Sequence, residues 1–133
     1  MDVIAVVDDD ASVRSATVDL LNSVGFRCEA YESAEHYLGA PQATRTACLI
    51  LDLNMPGLNG LELQQQLAQS GHPTPIIFVT AFPEERTRAQ AVGAGALCYL
   101  PKPYSDEELL GCVRLALARR DRTIRPENEG SSQ

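Results

Sequence analysis

The chain is short of positive charge. It has 11 Lys and Arg residues against 18 Asp and Glu residues, a formal net charge of -7 at pH 7. Proteins that bind nucleic acids use clustered Lys and Arg side chains to displace counterions from the phosphates. We therefore expect this domain to make no direct contact with nucleic acid.

Long apolar segments are missing as well. Residues 1–10 form a short apolar run that ends in three acidic residues and lacks the basic start of a secretory signal. No segment approaches the roughly 20 apolar residues of a membrane-spanning helix. The sequence therefore predicts a cytoplasmic protein that has no contact with the membrane.

Paired cysteines are a third absence. The four cysteines form no C-x-x-C pair and are scattered over the chain at Cys28, Cys48, Cys98 and Cys112. Their mostly apolar surroundings predict reduced core residues. His36 and His72 lie far from any cysteine in the sequence, so a zinc site has no support and both are expected at the surface.

The length and overall composition of the chain are those of one globular domain. The chain has 133 residues, of which 44% are hydrophobic and 22% charged, as in an average soluble protein. Residues 121–133 are polar and include Pro126 and Gly130. We expect a domain over residues 1–120, followed by a disordered C-terminal tail or a truncated linker over residues 121–133.

Runs of Val, Ile and Leu, typical of buried parallel strands, recur at about residues 3–7, 47–51, 76–79 and 97–100. A weaker alternating run predicts one more strand near a sheet edge, with Phe26, Cys28 and Ala30 on its apolar face.

The intervening segments have the spacing of helices. Apolar residues from Val13 to Val24 form one stripe, which ends at Gly25. Two more helices begin with capping boxes, formed by Asn59 with Glu62 and by Ser105 with Glu108. Shorter helices are predicted at residues 33–38 and 84–92.

This alternation predicts an α/β fold: a doubly wound, five-stranded parallel sheet with helices on both faces. Ligands of such sheets bind beyond the carboxyl ends of the strands, where the strand order reverses.

Polar residues stand where the predicted strands end. Asp8 and Asp9 follow the first strand, Asp52 closes the third, Thr80 closes the fourth, and Lys102 follows the fifth. Each alone has an ordinary structural explanation, because Asp caps helices, Thr ends strands and Lys is usually solvated. Together they converge on one edge of the sheet.

Three carboxylates at one edge repel one another unless a positive charge lies among them. Oxygen ligands without His or Cys favour a hard cation, Mg²⁺ or alternatively Mn²⁺. With Lys102 as a second positive charge, the set suits phosphoryl transfer in which Asp52 is the nucleophile and Thr80 helps to bind the phosphoryl oxygens. Asp10 is better explained as the N-cap of the first helix.

Four sequence blocks resemble the signature of response-regulator receiver domains in two-component signalling: V-V-D-D-D at 6–10, L-D-L-N-M-P-G-L-N-G at 51–60, V-T-A at 79–81 and P-K-P at 101–103. Their order and separations fit over about residues 1–118, and the resemblance implies the flavodoxin-like strand order 2-1-3-4-5. Gly25-Phe26, Ser33-Ala34-Glu35 and the segment from Gly95 to Pro103 are similar to the nitrogen-fixation regulator subfamily.

The resemblance implies that Asp52 is phosphorylated by a sensor histidine kinase, a phosphotransfer protein or a small phosphodonor. Asp9 and Asp52 would bind Mg²⁺ directly, Asp8 would act through water, and the main-chain carbonyl of Asn54 would be the third protein ligand.

The resemblance also implies how the signal leaves the site. Thr80 and Lys102 would bind the phosphoryl oxygens, and the bond between Lys102 and Pro103 would be cis. Thr80 would move and Tyr99 would rotate inward. The responding surface would be the fourth helix, fifth strand and fifth helix, around residues 84–94 and 104–117, where an output domain or partner would bind.

Such a domain is regulatory and not an enzyme in the usual sense, because it catalyses only its own phosphorylation and slow dephosphorylation. Dimerisation on phosphorylation is a further expectation. Phe82, two positions after Thr80, stands where many relatives have a polar residue that orients water. We hypothesise a long-lived acyl phosphate for this reason.

Three alternatives are weighed against this interpretation. A haloacid-dehalogenase-like phosphatase would match the D-x-D of Asp8 and Asp10, but Ala11 and Ser12 depart from its block. A nucleotide-binding module would need a glycine-rich loop after the first strand, where acids stand instead. An unphosphorylated pseudo-receiver that serves only for docking would not need the complete set of polar residues.

The sequence shows no output domain after the last helix. Two explanations stay open: a stand-alone receiver, or a receiver cut from a longer regulator with a DNA-binding output domain. The nitrogen-fixation-like resemblance favours the second.

Overall fold

The computed structural model describes residues 3–40, 46–71 and 74–124, with side chains described as far as residue 119. Strands and helices alternate over these ranges in the order β1 Val3–Val7, α1 Ala11–Ser23, β2 Cys28–Tyr31, α2 Ala34–Leu38, β3 Thr46–Asp52, α3 Gly60–Gln69, β4 Ile76–Thr80, α4 Glu85–Gly93, β5 Cys98–Pro101 and α5 Asp106–Ile124.

The five strands form one parallel sheet in the order β2-β1-β3-β4-β5. This confirms the predicted doubly wound sheet with strand order 2-1-3-4-5. The order reverses between β1 and β3, where Val7 pairs with Leu51. The residues that follow this pair, Asp8 and Asp52, therefore lie at the edge where such folds bind ligands.

Residues along each strand alternate between two hydrophobic cores, as the period of two in a strand requires. Ala5 and Val7 contribute to the core that contains buried residues of α2, α3 and α4. Ile4 and Val6 contribute to the core that contains buried residues of α1 and α5. Helices thus cover both faces of the sheet, as predicted.

Local hydrogen bonds explain where two of the helices begin. At α3, Asn59 Oδ1 accepts from the amide of Glu62 at 2.9 Å, and Glu62 Oε1 accepts from the amide of Asn59 at 2.8 Å. Ser105 and Glu108 exchange the same pair of hydrogen bonds at α5, at 3.0 and 2.9 Å. Both capping boxes predicted from the sequence are confirmed.

Over the described residues, helix α4 has fewer buried residues than the other helices, and Ala91 is its buried residue. The buried side chain of Gln64 in α3 donates from Nε2 to the carbonyl oxygen of Ala91 at 3.1 Å. One small apolar side chain and this hydrogen bond therefore secure the C-terminal half of α4.

The second strand differs from the prediction. It begins at Cys28, two residues later than the apolar run, and Ala30 is exposed whereas Tyr31 is buried. The expected apolar face is confirmed at Phe26 and Cys28, which pack against the core that includes α1 and α5, and is wrong at Ala30. Because helices cover both faces of the sheet, this edge strand also buries Tyr31 on its other face. The Tyr31 ring packs edge-to-face on Tyr37 of α2, with centroids 5.2 Å apart.

The last helix corrects the predicted start of the tail. The backbone of α5 stays helical to Ile124, four residues past the expected boundary at 120. Residues 121–124 contain no Gly or Pro, so neither of the strongest helix-breaking residues interrupts the segment. The remainder of the predicted tail, 125–133, lies outside the described residues.

The cysteines have no disulfide partners: Cys48 is buried, and the other three are half-buried. His36 is exposed, as expected, and His72 lies outside the described residues. Over the described ranges, no helix combines the length and apolar character needed to cross a membrane.

Candidate functional site

Three carboxylates meet at the carboxyl edge of the sheet. Asp8, Asp9 and Asp52 each place one oxygen within 4.8 Å of the other two. Asp8 and Asp52 are only 2% and 5% exposed, while Asp9 faces solvent. Two buried carboxylates and one open to solvent form a site that a small cation can reach from one side.

The side chain of Lys102 reaches this cluster from the end of β5. Its Nζ lies 3.0 Å from Asp8 Oδ2 and 3.8 Å from Asp52 Oδ2. Burial alone would lower the pKa of Lys102, but the hydrogen bond to Asp8 and the charges of Asp8 and Asp52 outweigh it, so the pKa is raised. The lysine therefore stays charged between the two acids.

The backbone around Lys102 is fixed to the neighbouring strand. Its amide donates to the carbonyl oxygen of Thr80 at 2.7 Å. The peptide bond between Lys102 and Pro103 is cis, the isomer that the family resemblance implies.

One lysine does not balance the three acids. The pKa of Asp52 is raised from 3.8 to about 7, first by burial and then by the negative charge of Asp8 and, less strongly, Asp9. Lys102 and the amide of Asn54, which donates to Asp52 Oδ1 at 3.2 Å, only partly oppose this shift. The site therefore has less positive than negative charge, and its oxygen donors fit a hard divalent cation.

Thr80 and Asn54 form a second contact beside the carboxylates. Thr80 is fully buried, and its hydroxyl donates to Asn54 Oδ1 at 2.6 Å. The same hydroxyl oxygen accepts from the amide of Phe82 at 3.0 Å. Six of the residues singled out from the sequence therefore lie in one place: Asp8, Asp9, Asp52, Asn54, Thr80 and Lys102.

Tyr99, the predicted switch residue, lies apart from this group. It pairs with Phe78 in the sheet, and its half-buried ring packs against the core that includes α3 and α4. Its hydroxyl accepts from the amide of Glu84 at 3.4 Å, at the start of α4. Tyr99 thus connects the strand next to Thr80 with the helix of the expected output surface.

Sequence reasoning missed Arg14. Its Nη1 donates to the carbonyl oxygen of Asp8 at 2.6 Å and so holds the backbone that presents the first acids. The available signal was its position in the first turn of the helix that follows these acids. Asp10 has the predicted capping role: its Oδ1 accepts from the amides of Ser12 and Val13 at 2.9 and 3.2 Å.

Comparison with known proteins gives a consistent result. The family described as the response regulator receiver domain matches residues 4–114. The transcriptional regulatory protein TdiR of Thauera aromatica is 41% identical over 124 residues, which are 93% of this chain and 55% of TdiR. FixJ of Bradyrhizobium diazoefficiens is 31% identical over 93% of this chain and 60% of its own.

Among solved structures, the response regulator StyR superposes with a TM-score of 0.86 at 34% identity, over 98% of this chain and 66% of StyR. The chain thus spans little more than half the length of the regulators TdiR and FixJ.

Proposed function

The chain belongs to the response regulator receiver domain family of two-component systems, and on that basis we propose that it accepts a phosphoryl group on Asp52. Members of this family are regulatory domains. The observation that carries the proposal is the meeting of Asp52 with Asp8, Asp9 and Lys102 at the switch point of the sheet.

The acidic cluster would hold Mg²⁺, or Mn²⁺ in its place. Asp9, Asp52 and the main-chain carbonyl of Asn54 would be direct ligands, and Asp8 would act through water. When bound, the cation would supply the positive charge that the carboxylates and the incoming phosphoryl oxygens require. The raised pKa of Asp52, caused by burial and by Asp8, supports this assignment.

In the proposed reaction, a carboxylate oxygen of Asp52 attacks the phosphorus of a phosphohistidine. The new O–P bond forms as the P–N bond breaks, and the histidine nitrogen keeps the bonding electron pair and takes up a proton from water. With acetyl phosphate as donor, the P–O bond breaks and acetate leaves. Lys102, already beside Asp52, would neutralise the transferred oxygens.

Thr80 would have to change its partner during this reaction. Its single hydroxyl proton is given to Asn54 in this structure, so it can bind a phosphoryl oxygen only after the bond to Asn54 breaks. Because Thr80 ends β4, this change of hydrogen-bond partner would move the loop between β4 and α4 when the site is phosphorylated.

Phosphorylation would change the conformation of the surface formed by α4, β5 and α5. Tyr99 links β5 with α4, since it belongs to β5 and its hydroxyl accepts from the amide of Glu84, which precedes α4. Inward rotation of Tyr99 would break that hydrogen bond and release the start of α4. An output domain or partner protein, or a second phosphorylated copy of the chain, would recognise the altered surface.

The partners on the input side would be a sensor histidine kinase or a phosphotransfer protein in the cytoplasm. Direct binding of nucleic acid by this domain is not proposed, because its net charge of -7 would repel phosphates.

The proposal is tested by incubating the protein with acetyl phosphate and Mg²⁺ and measuring its intact mass. We expect a gain of one phosphoryl group, about 80 Da, which Asp52→Asn and EDTA each abolish. Asp19→Asn is a matched control, because Asp19 is an exposed aspartate on α1 and distant in sequence from every proposed ligand.

Absence of any mass gain in the wild-type protein under these conditions would contradict the proposal. Docking without phosphorylation, as in a pseudo-receiver, would then be the function to pursue.

A further inference from the structure

A carboxylate from outside the proposed reaction site binds the loop that follows Asp52. This loop, residues 53–59, joins β3 to α3 and carries Asn54. Oε2 of Glu35 accepts a hydrogen bond from the amide of Leu58 at 2.9 Å, across 23 positions of sequence. The pKa of Glu35 is lowered mainly by this amide, so the acceptor is charged at neutral pH.

Glu35 extends from a firmly held helix. Its neighbours in α2, Ala34 and Tyr37, are fully buried. The Tyr37 hydroxyl donates to Thr46 Oγ1 at 2.8 Å, which attaches α2 to β3, and Ser33 Oγ accepts from the amide of His36 at the start of the helix. The position of the Glu35 backbone is therefore set by the core and not by the loop.

The loop approaches Glu35 at a glycine. Gly57 has φ of +75°, and a Cβ at this position would lie 2.8 Å from Glu35 Oε2. A larger residue would be strained in this conformation and would also displace the carboxylate. Gly57 thus allows the carboxylate to sit against the loop and reach the next amide, that of Leu58.

Apart from β3 and α3, which flank the loop, two elements bind it through side-chain hydrogen bonds within the described part of the chain. Thr80 binds its N-terminal half at Asn54, and Glu35 binds its C-terminal half at Leu58. Three residues separate Asn54 from Leu58, so movement at one point is transmitted to the other. When Thr80 leaves Asn54, as the proposed reaction requires, Glu35 would remain as the side-chain contact from outside the flanking elements β3 and α3.

We propose that Glu35 is a positioning residue for the phosphorylation site, because its clamp on Leu58 fixes the loop from which Asn54 presents its carbonyl oxygen to the cation. The inference rests on the proposed function. Glu35 does not touch the reacting atoms, so its removal would weaken cation binding and leave the rate at saturating Mg²⁺ nearly unchanged.

The test compares Glu35→Ala with two variants in the full chain. Glu35→Gln keeps an oxygen acceptor of the same length, and Glu32→Ala removes an equal charge from an exposed residue nearby. Initial rates of phosphorylation by acetyl phosphate are measured against Mg²⁺ concentration, and Mg²⁺ binding without phosphodonor is measured by calorimetry. Urea unfolding verifies that each variant is folded.

We expect Glu35→Ala to raise the half-saturating Mg²⁺ concentration about three- to tenfold, as for loss of one charge-assisted hydrogen bond. The calorimetric dissociation constant should rise in proportion, with the maximal rate within about twofold of wild type. Glu35→Gln should recover most of the affinity, and Glu32→Ala should match the wild type.

Two results would overturn the inference in distinguishable ways. If the wild type is phosphorylated and Glu35→Ala has the same Mg²⁺ dependence, or loses no more than Glu32→Ala, Glu35 does not position the site. If the wild type shows no Mg²⁺-dependent phosphorylation, the proposed function fails and the role of Glu35 fails with it.

Discussion

The hydroxyl of Thr80 donates to Asn54 Oδ1 over 2.6 Å, and it is the hydroxyl expected to bind phosphate. A double-mutant cycle in EDTA measures this bond. Thr80→Val, Asn54→Ala and the double variant should give a coupling of about 0.5 to 1.5 kcal/mol in the free energy of unfolding. Urea unfolding supplies the four values. Strictly additive effects would mean that the bond contributes nothing to the resting state.

Asp52 makes the stability of the metal-free protein depend on pH. Its pKa is about 7 in the folded state and near 3.8 when unfolded. Between these values the folded state holds a proton that the unfolded state has lost, so stability falls as pH rises through this range. Asp52→Asn removes this effect and should therefore stabilise the protein more at pH 8 than at pH 5.

The expected excess at pH 8 is about 1 to 3 kcal/mol, since one pKa unit corresponds to roughly 1.4 kcal/mol and part of the shift is screened. Denaturant unfolding of both proteins in EDTA at the two pH values provides the comparison. Saturating Mg²⁺ should raise the stability of the wild type at pH 8 and shrink the difference. Parallel pH profiles of the two proteins would rule out this account.

Phe82 is the residue through which the lifetime of the acyl phosphate is tested. Its amide is tied to Thr80, and its side chain is 69% exposed. Phe82→Glu should accelerate dephosphorylation in Mg²⁺ by about threefold or more, because the glutamate side chain can orient the attacking water. Phe82→Leu is the apolar control. Because the side chain is exposed, both variants should unfold within about 0.5 kcal/mol of wild type. An unchanged dephosphorylation rate in Phe82→Glu would refute the hypothesis.

Gly60 packs closely against the backbone of Asp52, the proposed phosphorylation site. A Cβ here would lie 2.9 Å from the carbonyl oxygen of Asp52 and 3.0 Å from Leu53 Cα. Gly60→Ala should therefore destabilise the protein by about 1 to 3 kcal/mol, as overpacking does, and slow phosphorylation by displacing Asp52.

Gly111 provides the matched control for Gly60, because it lies within α5 and a Cβ there would meet nothing within 4 Å. Gly111→Ala should stabilise the protein by about 0.5 to 1 kcal/mol, since Ala favours helix over Gly. Thermal unfolding and the mass assay measure both variants. Equal effects of the two substitutions would show that close packing at Gly60 is unimportant.

The sequence predicted those features that depend on local chemistry or on a simple rule of topology. Asn59 and Ser105 open helices through contacts three residues away, which are visible in any sequence. Asp8, Asp52 and Thr80 could be placed together because parallel strands bring their carboxyl ends to one edge. The parallel sheet with helices on both faces followed from the alternation of strands and helices, whereas the strand order came from the family resemblance.

Other features depend on distances that sequence spacing does not encode. No sequence pattern indicates that Lys102 lies closer to Asp8 than to Asp52. The contact of Glu35 with Leu58 joins residues 23 positions apart and depends on how α2 lies beside the loop. The burial of Tyr31 likewise follows from the ring of Tyr37, which no alternating pattern reveals.

Because few contacts hold α4, its exposed residues are less constrained in evolution than the acidic residues of the proposed phosphorylation site. Ala91 and its hydrogen bond from Gln64 secure the C-terminal half of the helix, while residues such as Glu85, Arg86 and Ala89 are exposed. Substitutions at exposed positions usually change the free energy of unfolding by no more than about 0.5 kcal/mol. After gene duplication, paralogues of this domain can therefore diverge in sequence along α4 and acquire new binding partners, while both keep the same acidic cluster and its chemistry.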